Sequence, residues 1–151
     1  MTSKILVSAL LFVVAAAVDA QVTVSDAWVR ATVPAQHATA AFMQIVATDG
    51  GRLISARSPV AGTTEIHEMV MVDGVMKMRA IPSLDLPPGK TVVLSPGSYH
   101  VMLLDLKAPI RVGDSVPLSL VFENPDKRRT IIELKAPVRP LTDASGGHRQ
   151  P

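Results

Sequence analysis

The 151-residue sequence contains no cysteine, and this absence excludes several kinds of protein. Without thiols the chain cannot be stapled by disulfides, cannot carry a lipid on a cysteine and cannot use a thiolate as a nucleophile or ligand. Aromatic residues are also scarce, with one Trp, one Tyr and three Phe. Proteins that bind single-stranded nucleic acid stack bases on aromatic side chains, so nucleic-acid binding is not expected although the pI is about 9.2.

Catalytic motifs are missing as well. Hydrolytic enzymes need a nucleophile with a base in reach, or two carboxyl groups whose pKa values are separated. The sequence contains no recognisable motif of Ser, His and Asp that would meet this requirement. We therefore predict a protein that is not an enzyme.

One long apolar run occurs, and it lies at the N-terminus. Residues 5–18 are apolar, follow Lys4 and lead to the small residues that end at Ala20. The run is shorter than the roughly 20 residues that cross a bilayer, and a charged start with small residues at the end is typical of a secretory signal. We predict a signal peptide over residues 1–20 and an exported mature chain with no membrane span.

The rest of the sequence is divided by twelve prolines and nine glycines into short stretches of alternating apolar residues. The predicted strands are Val22–Ala31, Thr39–Thr48, Leu53–Ser58, Thr63–Val72, Val75–Ile81, Thr91–Ser95, Tyr99–Leu106, Ser115–Glu123 and Arg129–Ala136. About nine short strands at this spacing favour an all-β fold, a two-sheet sandwich with Greek-key links. We expect one domain over residues 21–140 and a flexible tail over residues 141–151.

Two of the strands flank Asp73-Gly74, which is a strong signal for a two-residue hairpin turn. Such a turn fixes the pairing of the strands and, through the alternation of side chains, decides which residues share a face. The residues predicted on one face are His67, Met69, Met71, Met76, Met78 and Ala80. Four of the seven methionines therefore lie beside a histidine on one face of a hairpin.

A second pair of similar residues, His100 and Met102, lies two residues apart on another predicted strand and so also shares a face. Together with His67 and Met78 they provide two imidazoles and two thioethers. Soft thioether ligands favour Cu(I), whereas zinc prefers thiolate, imidazole and carboxylate. A blue-copper centre would need a cysteine. The residues therefore indicate a Cu(I) site.

Two other interpretations of these side chains remain open. Methionine is a common filler of hydrophobic cores, and a single histidine on an apolar face is usually structural. The protein would then be a structural β-sandwich without a metal. Met69, Met71 and Met76 could support the ligands, form a docking surface or pack in the core. We favour support of the ligands or core packing over direct ligation.

The sequence also predicts where several other residues lie. We expect Trp28 and Phe42 in the core, because they are apolar and on predicted strands. We expect His37 in a surface loop. Glu65 and Glu68 are expected to point away from the ligand face, either to face solvent or to support the ligands, and not to bind the metal.

The order of the four candidate ligands is specific: His67, ten residues, Met78, twenty-one residues, His100, one residue, Met102. With this spacing the sequence resembles the PCuAC family of periplasmic copper chaperones. Further similar segments are "AWVRATVP", "SPVAGTTEIHEM", "GVMKMR" and "LPPGKTVVLSPGSYHVMLLDLKAPIRVGDSVPLSLVFE". The resemblance covers most of residues 27–123.

The resemblance implies a cupredoxin-like β-sandwich that binds Cu(I) near its surface through His67, Met78, His100 and Met102. It also implies a periplasmic protein that delivers copper to an apo acceptor, such as the cytochrome oxidase subunit with the dinuclear copper centre, with Sco-type proteins acting nearby. A protein that only sequesters copper is the alternative.

The sequence departs from the family pattern in two places. Some members have a methionine directly after the first histidine, where this chain has Glu68. Other members have tails rich in His and Met, whereas this tail offers only His148.

Overall fold

The structure is a computed structural model that describes residues 21–140 and residue 142. It contains ten strands: β1 (Val22–Arg30), β2 (Thr39–Ala47), β3 (Gly51–Arg57), β4 (Ala61–Val72), β5 (Val75–Ile81), β6 (Leu84–Leu86), β7 (Thr91–Leu94), β8 (His100–Leu106), β9 (Ser115–Glu123) and β10 (Arg129–Arg139). The predicted signal peptide lies outside the described residues, and so does the predicted tail apart from residue 142. In the part of the chain that the structure describes, no helix has the length and hydropathy that crossing a membrane requires.

The strands follow one another in the order β5-β4-β8-β2-β1-β10-β9-β3-β6, and β7 pairs with β2. A short parallel pairing of β1 with β10 joins two layers, which pack their apolar faces together. Buried residues of the first layer such as Val29 and Ile45 share one cluster with Leu120 and Phe122 of the second. The all-β sandwich expected from the sequence is confirmed.

Nine of the ten strands match the predicted ones, with ends that differ by a few residues. The tenth, β6, was missed because it has only three residues and lies between Ser83 and Pro87. Its side chains still alternate, since Leu84 and Leu86 are buried and Asp85 is exposed.

A one-residue bulge in β1 decides where Trp28 lies. The register against β2 shifts between Ser25 and Trp28, and Asp26 has a positive φ of 51°. Because an extra residue reverses the alternation of side chains, Trp28 lies on the outer face of the sheet and Val29 faces the core. Trp28 then pairs with Phe42 on β2.

The hairpin of β4 and β5 has the register that the Asp73-Gly74 turn predicts. Both turn residues have positive φ, 49° and 77°, and the pairing runs from Val72 with Val75 back to Ile66 with Ile81. On its other side β4 pairs with β8, and this pairing ends at His67. Beyond His67 the hairpin is therefore a ribbon of two strands that has no third strand beside it among the described residues.

Candidate metal centre

The two histidines lie side by side on the outer face of the sheet. His67 of β4 and His100 of β8 are direct cross-strand partners, and the centroids of their rings are 5.4 Å apart. Their chain neighbours Ile66 and Val101 are also paired and point into the core. The alternation of β-strands thus anchors the backbone through two core residues and turns both imidazoles to the same outer face.

The His67 ring is held by a carboxylate and leaves one nitrogen without a partner. Nε2 lies 2.7 Å from Oε2 of Glu65. Because a carboxylate accepts, Nε2 of a neutral ring carries the proton and Nδ1 keeps its lone pair. Nδ1 is buried and makes no hydrogen bond with any described residue. A buried nitrogen that keeps its lone pair, with its other N–H on a carboxylate, is the usual arrangement of a metal-ligating histidine.

The His100 ring presents its opposite nitrogen. Nδ1 donates a hydrogen bond to the backbone carbonyl of Ser98 at 3.2 Å, so the lone pair of a neutral ring lies on Nε2. Burial lowers the pKa of His100 below its ordinary value of 6.5, with the charges of His67 and Arg30 acting in the same direction and the Ser98 carbonyl opposing them. The ring is therefore neutral at pH 7 and able to bind a metal.

The two thioethers lie beside His100 in a cavity of about 310 Å³. Met102 is half-buried, pairs with Ala40 of β2 and packs against the cluster of Trp28, Ala40 and Phe42. Met78 lies on the edge strand β5 and is 53% exposed. The residues that line the cavity are Arg30, Gln36, Ala38, Thr39, Ala40, Phe42, Met69, Met78, Pro96, Gly97, His100 and Met102. Three of the four predicted ligands thus share this cavity, and the fourth, His67, is the cross-strand neighbour of His100.

An aromatic wall supports the imidazoles from the side of β1 and β2. The rings of Trp28 and Phe42 are 4.6 Å apart, and the Phe42 ring is 6.3 Å from that of His100. The guanidinium groups of Arg139 and Arg30 lie 5.3 Å above the Trp28 and Phe42 rings respectively. Trp28 and Phe42 are buried as expected, but in a separate cluster on the outer face and not in the main core.

The sheet face expected for Glu65 is wrong. Glu65 is two residues from His67 and directly opposite Met102, so it lies on the same face as the ligands. The signal was present in the sequence, because residues of equal parity on a strand share a face. Glu68 does lie on the opposite face, where it forms an ion pair with Arg79 at 2.7 Å. Arg30 also lines the cavity and lies over the Phe42 ring. The sequence did not predict this position, because the face on which Arg30 lies depends on the bulge in β1.

The remaining methionines of the hairpin are not core residues. Met69 lines the cavity, whereas Met71 and Met76 are 62% and 46% exposed. His37 lies exposed in the loop before β2, as expected.

Histidines and carboxylates do not form a metal site of their own within residues 21–140. Among these residues no three His, Asp or Glu side chains come together as a possible metal site. A larger cavity of about 550 Å³ lies on the other layer, and no His or Met lines it. A neighbouring cavity of about 620 Å³ is lined by His37, Glu65 and Met102, whereas the cavity at His100 contains three thioethers, those of Met69, Met78 and Met102, beside the imidazole.

Comparison with known proteins gives a family for this fold. Residues 22–138 match the model of a family described as "Putative lipoprotein LpqE-like". A relative from Leifsonia xyli subsp. xyli, "Putative lipoprotein Lxx21020", is 36% identical over 106 residues, which are 68% of this chain and 63% of the relative. The matched segment thus spans somewhat less than two thirds of that protein.

Solved structures have the same architecture. The Cu(I) form of the Deinococcus radiodurans protein DR1885 superposes with a TM-score of 0.56 at 30% identity, over 77% of this chain and 76% of that one. The apo PCuAC domain of PmoF1 has a TM-score of 0.63 at 22% identity and covers 80% of this chain and 95% of that domain. The cupredoxin-like Greek-key sandwich expected from the sequence is confirmed by this likeness.

The family model, the relative and the solved structures agree with the resemblance to the PCuAC family that the sequence indicated. The chain therefore belongs to the LpqE-like family and, with it, to the PCuAC family of copper chaperones.

Proposed function

We propose that this protein is an exported copper chaperone that binds Cu(I) through His67, Met78, His100 and Met102 and passes it to an acceptor protein. The observation that carries the proposal is that His67 and His100 are cross-strand partners with ring centroids 5.4 Å apart, and that His100 shares a cavity with Met78 and Met102. The copper forms of structural relatives support it, since the Deinococcus protein has a Cu(I) structure.

The chemistry of the ligands favours the monovalent ion. All four ligands are neutral, so they place no negative charge on the metal, and the thioethers are soft donors that prefer Cu(I). Because no thiolate is present, the site lacks the ligand of a blue-copper electron-transfer centre. Copper is therefore the cargo of this protein and not a redox cofactor, and we propose no enzymatic activity.

The position of the site suits delivery. The imidazoles are buried at 9% and 6% exposure for His67 and His100, while Met78 is half exposed on an edge strand. An acceptor can thus approach the thioether side and bind the ion before the imidazoles release it. Because Met78 is half exposed on this edge strand, we expect it to be the first ligand that an acceptor replaces.

We propose the periplasm as the site of action and the assembly of cytochrome oxidase as the destination of the copper. The predicted signal peptide and the family support export. The acceptor would be the oxidase subunit that carries the dinuclear copper centre, with Sco-type proteins acting nearby. A lipid anchor, which the name of the Leifsonia relative indicates for that protein, cannot attach to a cysteine here because the sequence has none.

Removing one ligand is the direct test of the site. We expect His100→Ala and Met78→Leu each to weaken Cu(I) binding by at least about 100-fold, because loss of a residue that only supports a ligand already costs about 10- to 100-fold. Affinity is measured anaerobically by competition with a coloured Cu(I) chelator. His37→Ala removes an exposed histidine that does not line the cavity of Met78, His100 and Met102, and this variant should bind as the wild type does. Equal affinity in all these variants would refute the ligand set.

The role of Glu65 has a matched control in Glu68. Glu65→Ala removes the carboxylate that orients the His67 ring and should weaken Cu(I) binding by about 10- to 100-fold. Glu68→Ala removes a carboxylate of the same strand on the opposite face and should leave the affinity unchanged. If both variants behave alike in the chelator competition, Glu65 does not position the ligand.

The dependence of Cu(I) binding on pH follows from the environment of His100. A protonated imidazole cannot bind a metal, so affinity is present above the pKa of the ring and is lost as the pH falls through it. Because burial lowers the pKa of His100, we expect its affinity loss to set in below pH 6.5, the value for an ordinary histidine. Competition titrations from about pH 8 to pH 5 measure this, and His100→Ala should show a shallower decline. A wild-type decline centred above pH 6.5 would contradict the expected environment.

Delivery and storage differ in the kinetics of copper release. For a chaperone, we expect transfer to an apo domain with a dinuclear copper site to become faster as the acceptor concentration rises, because the ion passes through a complex of the two proteins. A storage protein would release copper at a rate that does not depend on the acceptor. The rate is measured by the absorbance of the loaded acceptor, and transfer should stop when a dialysis membrane separates the two proteins.

A further inference from the structure

The tip of the β4-β5 ribbon carries a second pair of methionines outside the cavity. Met71 and Met76 are direct cross-strand partners, one pair beyond Met69 and Met78. In a hairpin with a two-residue turn, the pair next to the turn is hydrogen-bonded and the following pair is not. Met71 and Met76 are thus a non-hydrogen-bonded pair, the kind whose side chains lie closer together, and the same holds for Met69 and Met78.

All four methionines of the ribbon lie on one of its two faces. The opposite face carries the pairs Val72 with Val75, Val70 with Lys77 and Glu68 with Arg79. The two faces of the tip are therefore both apolar, but sulfur occurs on one of them only. A surface that served only for apolar contact would not require this separation, because valine or leucine provides the same contact.

Burial does not explain the tip methionines. Met71 and Met76 are 62% and 46% exposed, and β8 does not extend beyond His67 to cover them. Methionines that fill a core are buried, whereas these two side chains are largely exposed to solvent. What distinguishes them from other apolar residues at an exposed site is the thioether, a soft ligand for monovalent metal ions.

The tip pair is also continuous with the cavity. Residues two apart on a strand are separated by about 6.6 to 6.8 Å, so the tip pair lies one such step from Met69 and Met78. Both members of this inner pair line the cavity that contains His100 and Met102. The sulfurs therefore form a row from the end of the ribbon to the candidate metal centre.

We propose that Met71 and Met76 form a second binding site for a soft monovalent cation, Cu(I) or its analogue Ag(I), at the tip of the ribbon. The site holds the ion by thioether sulfur alone, without an imidazole, and is therefore weaker than the cavity and fills after it. Its position allows an ion to be taken up or released at the end of the hairpin, one pair of residues away from the cavity. This goes beyond the proposed function, which requires only the cavity.

The test follows the methionine methyl groups of the full chain, labelled with ¹³C, by NMR during an anaerobic titration with Ag(I). We expect the signals of Met78 and Met102 to shift with the first equivalent and those of Met71 and Met76 with the second. Met43 is a built-in reference, because it is 1% exposed in the main core and should not shift.

The double variant Met71→Leu with Met76→Leu keeps the apolar area of the tip and removes its sulfur. It should lose the second binding step and keep the first. Since both residues are exposed, the substitution leaves the core untouched, and circular dichroism verifies the fold. Val72→Leu with Val75→Leu changes the opposite face of the same tip and should keep both steps.

The outcomes separate the two proposals. A single binding step in the wild type, or a second step that survives in the Met71→Leu and Met76→Leu variant, overturns the tip site and leaves the cavity unaffected. Shifts of Met71 and Met76 with none at Met102 would instead support the tip site and contradict the proposed function.

Discussion

Strand β4 pairs with β5 on one side and with β8 on the other, and the candidate site depends on this double pairing. His67 is the last residue of β4 that has partners on both sides, with Ala80 on β5 and His100 on β8. The backbone hydrogen bonds of the sheet thus fix the distance between two imidazoles that are far apart in the sequence. The core contacts of Ile66 and Val101 hold the same two strands from the other face.

The four candidate ligands divide into two kinds of environment. The imidazoles are buried, held by Glu65 and by the Ser98 carbonyl, and His100 lies against the Phe42 ring. Burial disfavours a charged ring and therefore keeps His100 ready to bind at neutral pH. Burial is not needed to keep the thioethers neutral, because they do not take up protons in this pH range. Met78 is accordingly half exposed. A site built in this way is preorganised on the nitrogen side and adaptable on the sulfur side.

The sequence allowed the hairpin to be predicted in detail and the site only in part. The Asp73-Gly74 turn and the alternation of side chains are local, so they determined the register of β4 against β5 and the common face of His67 and the methionines. The pairing of His67 with His100 links strands that are distant along the chain, and no local pattern specifies it. The likeness to the PCuAC family implied only that both residues bind the same ion. Glu65 could have been placed by parity alone. The short strand β6 gave too few residues for a periodic pattern.

The bulge in β1 could not be predicted from the sequence. Asp26 adopts a positive φ there, but most aspartates have a negative φ, so the residue type does not identify the bulge. Its effect is nevertheless large, since one extra residue sends Trp28 outward to Phe42 and leaves Val29 in the core. The number of residues in this part of β1 is consequently more important than which residues they are. An insertion or deletion of a single residue between positions 25 and 28 would exchange an indole for an isopropyl group behind the histidines, so natural variation in the family should conserve the number of residues there more strictly than their identity.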